Sequence, residues 1–81
     1  MDLRIAIVGI IVEDIKVSDK VNEVLHEYSQ YIEGRMGLPK VDENVNVISI
    51  VMKAPQDEIS AMTGKIGMIE NVNCKAVYSR A

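Results

Sequence analysis

The segment Leu3–Val12, "LRIAIVGIIV", decides the fold, because both its odd and its even positions are mainly apolar. Its Ile and Val residues favour a strand. The run is about half the roughly 20 residues that a membrane-spanning helix needs, and it ends at the acidic pair Glu13–Asp14. We therefore predict a first strand that is apolar on both faces.

A helical repeat follows this strand. The apolar residues after Asp14 recur at spacings of three and four, which is typical of one buried stripe on a helix. Ser18 is a good N-cap residue, so we predict a first helix from Ser18 to about Gln30. The stripe consists of Val17, Val21, Val24, Leu25 and Tyr28.

Two glycines and a proline interrupt the next stretch, "YIEGRMGLP", residues 31–39. We interpret it as a short edge strand, in which Gly34 and Gly37 permit a bulge or a close backbone approach. The segment "PKVDEN", residues 39–44, is then a polar hairpin connection. The following "VNVISIVMKA", residues 45–54, is a third segment with strand character and again apolar on both faces.

The remaining chain predicts one more helix and one more strand. Pro55 and the acidic pair Asp57–Glu58 suit a helix start, and Gly67 is the predicted C-cap. The segment "NVNCKAVYS", residues 71–79, alternates apolar and polar residues like a half-buried strand. The inner stripe of the second helix consists of Ile59, Met62, Thr63 and Ile66.

The order strand, helix, strand, strand, helix, strand predicts a single α+β domain over residues 1–81 with the ferredoxin-like βαββαβ arrangement. Both helices then cover one face of a four-stranded antiparallel sheet, with the first and third strands in its centre. These two strands are apolar on both faces, so the face without helices needs a cover. We predict a homo-oligomer, dimer or tetramer, that forms through this open face of the sheet.

Charge and cysteine content restrict the partners. Nine Lys and Arg residues are scattered among twelve Asp and Glu residues, and the net charge is −3, so we expect no direct binding to nucleic acid. The single Cys74 cannot form an intramolecular disulfide, and the N-terminal residues do not resemble a signal peptide. We predict a cytoplasmic protein without a membrane partner.

Four residues are candidates for a ligand site or a subunit interface. His26 points about 180° away from the buried stripe of its helix, so it is not a core histidine. Arg35 stands between two glycines and could bind a carboxylate or an anionic ligand through two hydrogen bonds. Glu13 and Asp14 follow a central strand, where loops often meet small ligands. A solvated surface position, a salt bridge or a capping role is the ordinary alternative for each.

Residues for catalysis or metal binding are not evident. No nucleophile has an adjacent base, no cofactor fingerprint occurs, and His26 has no second histidine at helical spacing. Cys74 lies on the apolar side of its strand, as a small buried thiol would. We predict a protein that is not an enzyme and has neither a cofactor nor a metal site.

Several motifs resemble the iron-only hydrogenase system regulators, small proteins whose fold is similar to ACT domains and to the C-terminal effector domain of nickel-responsive regulators. The resemblance spans nearly the whole chain. Its most specific parts are Leu25–His26, Gly34–Gly37 with Pro39, and the helix "ISAMTGKIGM" that leads into "ENV".

The resemblance implies a ferredoxin-like oligomer with a regulatory role, connected with the iron-only hydrogenase. It favours an ACT-like regulatory module that binds a small-molecule effector at subunit interfaces or acts through a regulatory protein partner. Three alternatives stay open: a transition-metal-responsive effector domain, a purely structural assembly partner, and a dimeric ferredoxin-like enzyme with His26 as its base.

Overall fold

The computed structural model describes residues 2–80 and contains all six predicted elements in the predicted order. Short 3-10 turns, Ile15–Val17 and Ser29–Tyr31, precede and follow the first helix. The elements are β1 (Leu3–Val12), α1 (Ser18–Glu27), β2 (Ile32–Asp42), β3 (Val45–Pro55), α2 (Gln56–Gly67) and β4 (Val72–Tyr78).

The four strands form one antiparallel sheet in the order β2-β3-β1-β4. The two strands that are apolar on both faces, β1 and β3, occupy its centre, as predicted. In the β1 register, Ile7 lies opposite Val51 on one side and opposite Val77 on the other. The predicted α+β, ferredoxin-like fold class is therefore confirmed.

The core lies between the sheet and the two helices. Alternate residues of β1 point into it, and the buried stripe of each helix packs onto them. This arrangement removes the apolar stripes of both helices from water, which is the main favourable contribution to folding. The fully buried residues include Val8, Ile10 and Val12 of β1, Val21 and Leu25 of α1, Ile50 and Met52 of β3, and Ile59, Met62 and Ile66 of α2.

The helix ends differ in detail from the sequence prediction. Ser18 is the first residue of α1 rather than its N-cap, and its hydroxyl accepts a hydrogen bond from the Asn46 side chain at 3.0 Å. The Asp14 carboxylate instead caps the preceding 3-10 turn. Gly67 is the last residue of α2, and the C-cap is Met68. The predicted start of α1 is thus correct, but the capping side chain is that of Asp14, and it caps the 3-10 turn before the helix.

Strand β2 is longer than the sequence predicts. Pro39 lies within it, and the expected hairpin connection shrinks to a turn at residues 43–44. The edge position explains this difference, because a proline without an N–H is tolerated at an edge or a bulge. Pairing is irregular between Leu38 and Asp42, and also between Ile32 and Gly34, so the predicted bulge is confirmed.

The alternative to the bulge, a close backbone approach at the glycines of β2, is not found among residues 2–80. A Cβ atom added to Gly34 or Gly37 would meet nothing within 4 Å, and neither residue has a positive φ. The helices within residues 2–80 fall short of the length and apolarity that a membrane-spanning helix needs.

Candidate functional site

The sheet face opposite the helices, here called the open face, is mainly apolar. Eight of the eleven large hydrophobic residues that are exposed in the described chain alternate onto this face. Isolated exposed apolar residues are normal, whereas a group of this size on one face is typical of interaction surfaces. The eight residues are Leu3, Ile5, Ile7, Ile11, Met36, Leu38, Val51 and Val77.

Apart from Ser49, which lies between Gly9 and Met36 in the middle of the sheet, the polar residues of the open face lie near its borders. Lys75 and Asn73 belong to the edge strand β4, and Lys53 lies beyond the point where β2 begins, since Ile32 pairs with Met52. Strands β1, β3 and β4 contain no Asp or Glu at all. An apolar centre with a polar border is the usual anatomy of a protein interface.

A second surface feature, here called the α1–β2 groove, lies on the helix side of the sheet at its β2 edge. Two adjoining hollows of about 200 and 490 Å³ form it, and they share Asn22 and Arg35. One hollow extends along residues 37–39 and 46–48 of the sheet. The other extends towards His26, Ser29 and the apolar Leu25 and Ile32.

The guanidinium of Arg35 reaches the groove because Arg35 pairs with Ile50, a buried residue on the helix side of β3. Its Nη2 donates a hydrogen bond to Asn22 Oδ1 at 2.5 Å. Residues 2–80 contain one ion pair, between Lys65 and Glu27. Arg35 therefore has no carboxylate partner among these residues. The guanidinium group of Arg35 is therefore oriented by the neutral side-chain amide of Asn22.

The structure brings two of the four sequence-predicted site residues together. His26 and Arg35 line the same groove, and His26 is exposed as predicted. Glu13 and Asp14 line neither hollow. The Glu13 N–H donates to the carbonyl of Asn71 at 2.8 Å, and the Asp14 carboxylate accepts from the Lys16 N–H at 3.0 Å.

Sequence reasoning missed Asn22 and Ser29. Both lie with His26 on one side of α1 and its extension, because positions 22, 26 and 29 are four and three residues apart. This spacing is visible in the sequence, but it indicates a site only when Arg35 is known to lie opposite these three residues.

Cys74 lies half-buried on the core side of β4. Burial raises the pKa of its thiol above the ordinary value of 9.0, which disfavours the reactive thiolate. No group of three or more His, Cys, Asp or Glu residues that could hold a metal ion occurs between residues 2 and 80.

Comparison with known proteins connects this geometry with a family. The model of the TM1266-like family, described as iron-only hydrogenase system regulator, matches residues 4–76. The chain belongs to this family. The structure of uncharacterized protein TM1266 from Thermotoga maritima is similar at 40% sequence identity with a TM-score of 0.91, over 98% of this chain and 100% of that one. The sequence-based resemblance is thereby confirmed.

A more distant similarity concerns the fold alone. The structure of CPII, a nitrogen regulatory PII-like protein from Thiomonas intermedia K12 bound to ADP, AMP and bicarbonate, has a TM-score of 0.53 at 12% identity. The match covers 98% of this chain and 99% of that one. No curated protein matches the chain significantly.

Proposed function

We propose that this member of the iron-only hydrogenase system regulator family is a non-enzymatic regulatory module that assembles as a homo-oligomer through its open face and works in the cytoplasm. The observation that carries the proposal is the apolar open face of an otherwise well-packed domain. Family membership supports the connection with the iron-only hydrogenase system.

A second copy of this chain is the proposed cover of the open face. The eight apolar side chains are 38% to 68% exposed. Full burial of such a side chain contributes about 1.5–3 kcal/mol, so burying the exposed half of all eight in two copies contributes roughly 12–24 kcal/mol. Association costs about 4–15 kcal/mol, so a stable pair of subunits is within reach.

The border of the open face favours the same arrangement. A two-fold interface brings identical patches together, so the centre of the patch must be compatible with itself. The row Gly34, Val51, Ile7 and Val77 crosses the sheet without a charge. Lys53 and Lys75 lie towards the border, where their ammonium groups can stay in water.

The proposed module also binds a small effector, and His26 and Arg35 are its proposed contacts because both line the α1–β2 groove. Glu13 and Asp14 remain candidate contacts with a second subunit only. An effector that prefers one assembly state shifts the population towards that state, which is sufficient for regulation.

Gene deletion in a host that carries this gene and an iron-only hydrogenase tests the regulatory role. We expect deletion to change hydrogenase transcript level or hydrogen production, and the wild-type gene to restore it. Complementation with Ile7→Lys, which places a charge on the open face, should fail. The matched variant Ile15→Lys, at an exposed apolar residue outside that face, should restore regulation.

Two results would contradict the proposal. Unchanged transcript level and hydrogen production after deletion would remove the regulatory role. Full complementation by Ile7→Lys at normal protein level would remove the requirement for assembly through the open face.

A further inference from the structure

We propose that the α1–β2 groove is a binding site for a small organic anion, and that Arg35 holds the carboxylate or phosphate group of this ligand through two parallel hydrogen bonds. This inference deepens the proposed function, because it gives the chemical class of the effector. Arg35 is the centre of recognition in this site.

The hydrogen-bonding groups of the groove support an anionic ligand. A guanidinium has five N–H donors in a planar fork that matches carboxylate and phosphate oxygens. The bond to Asn22 holds the guanidinium in place and leaves further donors for a ligand. Since Asn22 accepts through its Oδ1, its Nδ2 remains a donor, and His26 and Ser29 add polar groups from the same side of α1.

The charge of the groove supports the same ligand class. The whole chain has a net charge of −3, yet neither hollow is lined by an Asp or a Glu. Several exposed acidic residues lie within two positions of a lining residue in sequence, but they line neither hollow: Asp19, Glu23, Glu33 and Glu27, which pairs with Lys65. An oriented cation without an acidic partner in the described chain attracts an anion into a site that the rest of the surface would repel.

The shape of the groove limits the ligand to a small molecule. Its two hollows, about 200 and 490 Å³, together reach the size of ordinary ligand pockets. Leu25 and Ile32 supply apolar contacts beside His26, so the body of the ligand can lie against them while its anionic group meets Arg35. Both hollows are open to solvent, so the single chain binds the ligand weakly.

Titration of the isotope-labelled full chain, followed by amide NMR shifts, tests the proposal. The probes are inorganic phosphate and succinate, with sodium chloride used to keep the ionic strength constant. We expect saturable shifts at Asn22, Ser29, Arg35 and Gly37 for at least one probe. A response to phosphate alone or to succinate alone identifies which anionic group the site prefers, and either one supports the site.

Four variants sharpen the test. Arg35→Gln should weaken binding by about 10- to 100-fold, because hydrogen bonds to a charged group are lost. Arg35→Lys should also weaken it, since an ammonium lacks the planar fork. Arg80→Gln removes the same charge from an exposed residue outside the groove and should leave binding unchanged. If Arg35→Gln fails to fold, Asn22→Ala decides the question: it keeps the charge of Arg35 but removes the orienting bond and the Nδ2 donor, so it should also weaken binding.

The proposal is overturned by the absence of saturable shifts in the groove for both probes. It is also overturned if Arg80→Gln weakens binding as much as Arg35→Gln, or if Arg35→Lys binds as well as the wild type, because the attraction is then merely electrostatic. Native mass spectrometry of the same samples reports the oligomeric state. Loss of the groove signal in an intact oligomer therefore refutes the anion site alone, whereas a monomeric wild type refutes the proposed assembly.

Discussion

The substitution Ile7→Lys at the centre of the open face should dissociate the proposed oligomer while leaving the fold of the single chain intact. Ile7 is 51% exposed in the single chain and lies between Val51 and Val77 in the sheet. Because half of this side chain already lies in water, its replacement lowers the stability of the monomer only modestly, by about 1 kcal/mol. In an interface between two open faces, the same position is covered.

The magnitude follows from the two copies of the residue in each interface. Losing the burial of half an Ile side chain costs about 0.8–1.5 kcal/mol, and two copies roughly double this. Each ammonium must also leave water or bend away from the interface, which adds at least about 1 kcal/mol per pair of subunits. The total loss of association free energy is about 3 kcal/mol or more, which raises the dissociation constant by at least about 100-fold.

Sedimentation velocity over a range of protein concentrations measures this change. We expect a concentration-dependent shift from oligomer to monomer for Ile7→Lys, with far-UV circular dichroism like that of the wild type. Ile15→Lys, at an exposed Ile outside the open face, is the matched control and should sediment like the wild type. A wild-type monomer at tens of micromolar, or equal association of Ile7→Lys and wild type, would refute the reasoning.

Four other outcomes can be checked on the purified chain. Leu25→Ala should lower the free energy of unfolding by about 2–5 kcal/mol in urea titrations, because Leu25 is 1% exposed, whereas Met68→Ala, at 88% exposed, should change it by less than about 0.5 kcal/mol. Asp14→Ala should cost about 0.5–1 kcal/mol through loss of the capping bond to the 3-10 turn, and an equal loss in Glu13→Ala would contradict that role. Burial raises the pKa of Cys74 above 9.0, so over some range above pH 9 the thiol is protonated in the folded chain but ionised in the unfolded chain. The Cys74 contribution to the free energy of unfolding is therefore present below pH 9 and is lost at higher pH. The same shift predicts that a disulfide reagent at neutral pH modifies folded Cys74 more slowly than the urea-unfolded chain, and equal rates would contradict it.

The sequence predicts the sheet well because apolar residues repeat at different spacings in strands and in helices, and both spacings are clear in this sequence. The order of the elements and right-handed crossovers place β1 and β3 in the centre of a ferredoxin-like sheet, and their apolar residues on both faces agree with that position. The length of β2 could not be predicted, because Pro39 is normally a signal for a strand end. Its tolerance depends on the edge position and on the irregular pairing between Leu38 and Asp42, which are properties of the folded sheet.

The candidate site was predictable only in part for a related reason. His26 is visibly outside the buried stripe of α1, and Arg35 is visibly unusual between two glycines. Their proximity depends on which face of the sheet Arg35 occupies, and this depends on an inserted residue. With strict alternation from Ile32, which packs on the core, Arg35 would point to the open face.

The bulge at Glu33 reverses this alternation and so assigns neighbouring residues of β2 to different surfaces. Between Ile32 and Gly34, two residues of β2 oppose one residue of β3. Arg35 therefore lies opposite the buried Ile50 and reaches the groove, while Met36 lies opposite Ser49 on the open face. A ligand in the groove and a second subunit on the open face would thus contact consecutive residues of one edge strand. A shift of this strand that improves one contact also moves the other, so the two proposed binding events would be linked, and that linkage is necessarily reciprocal.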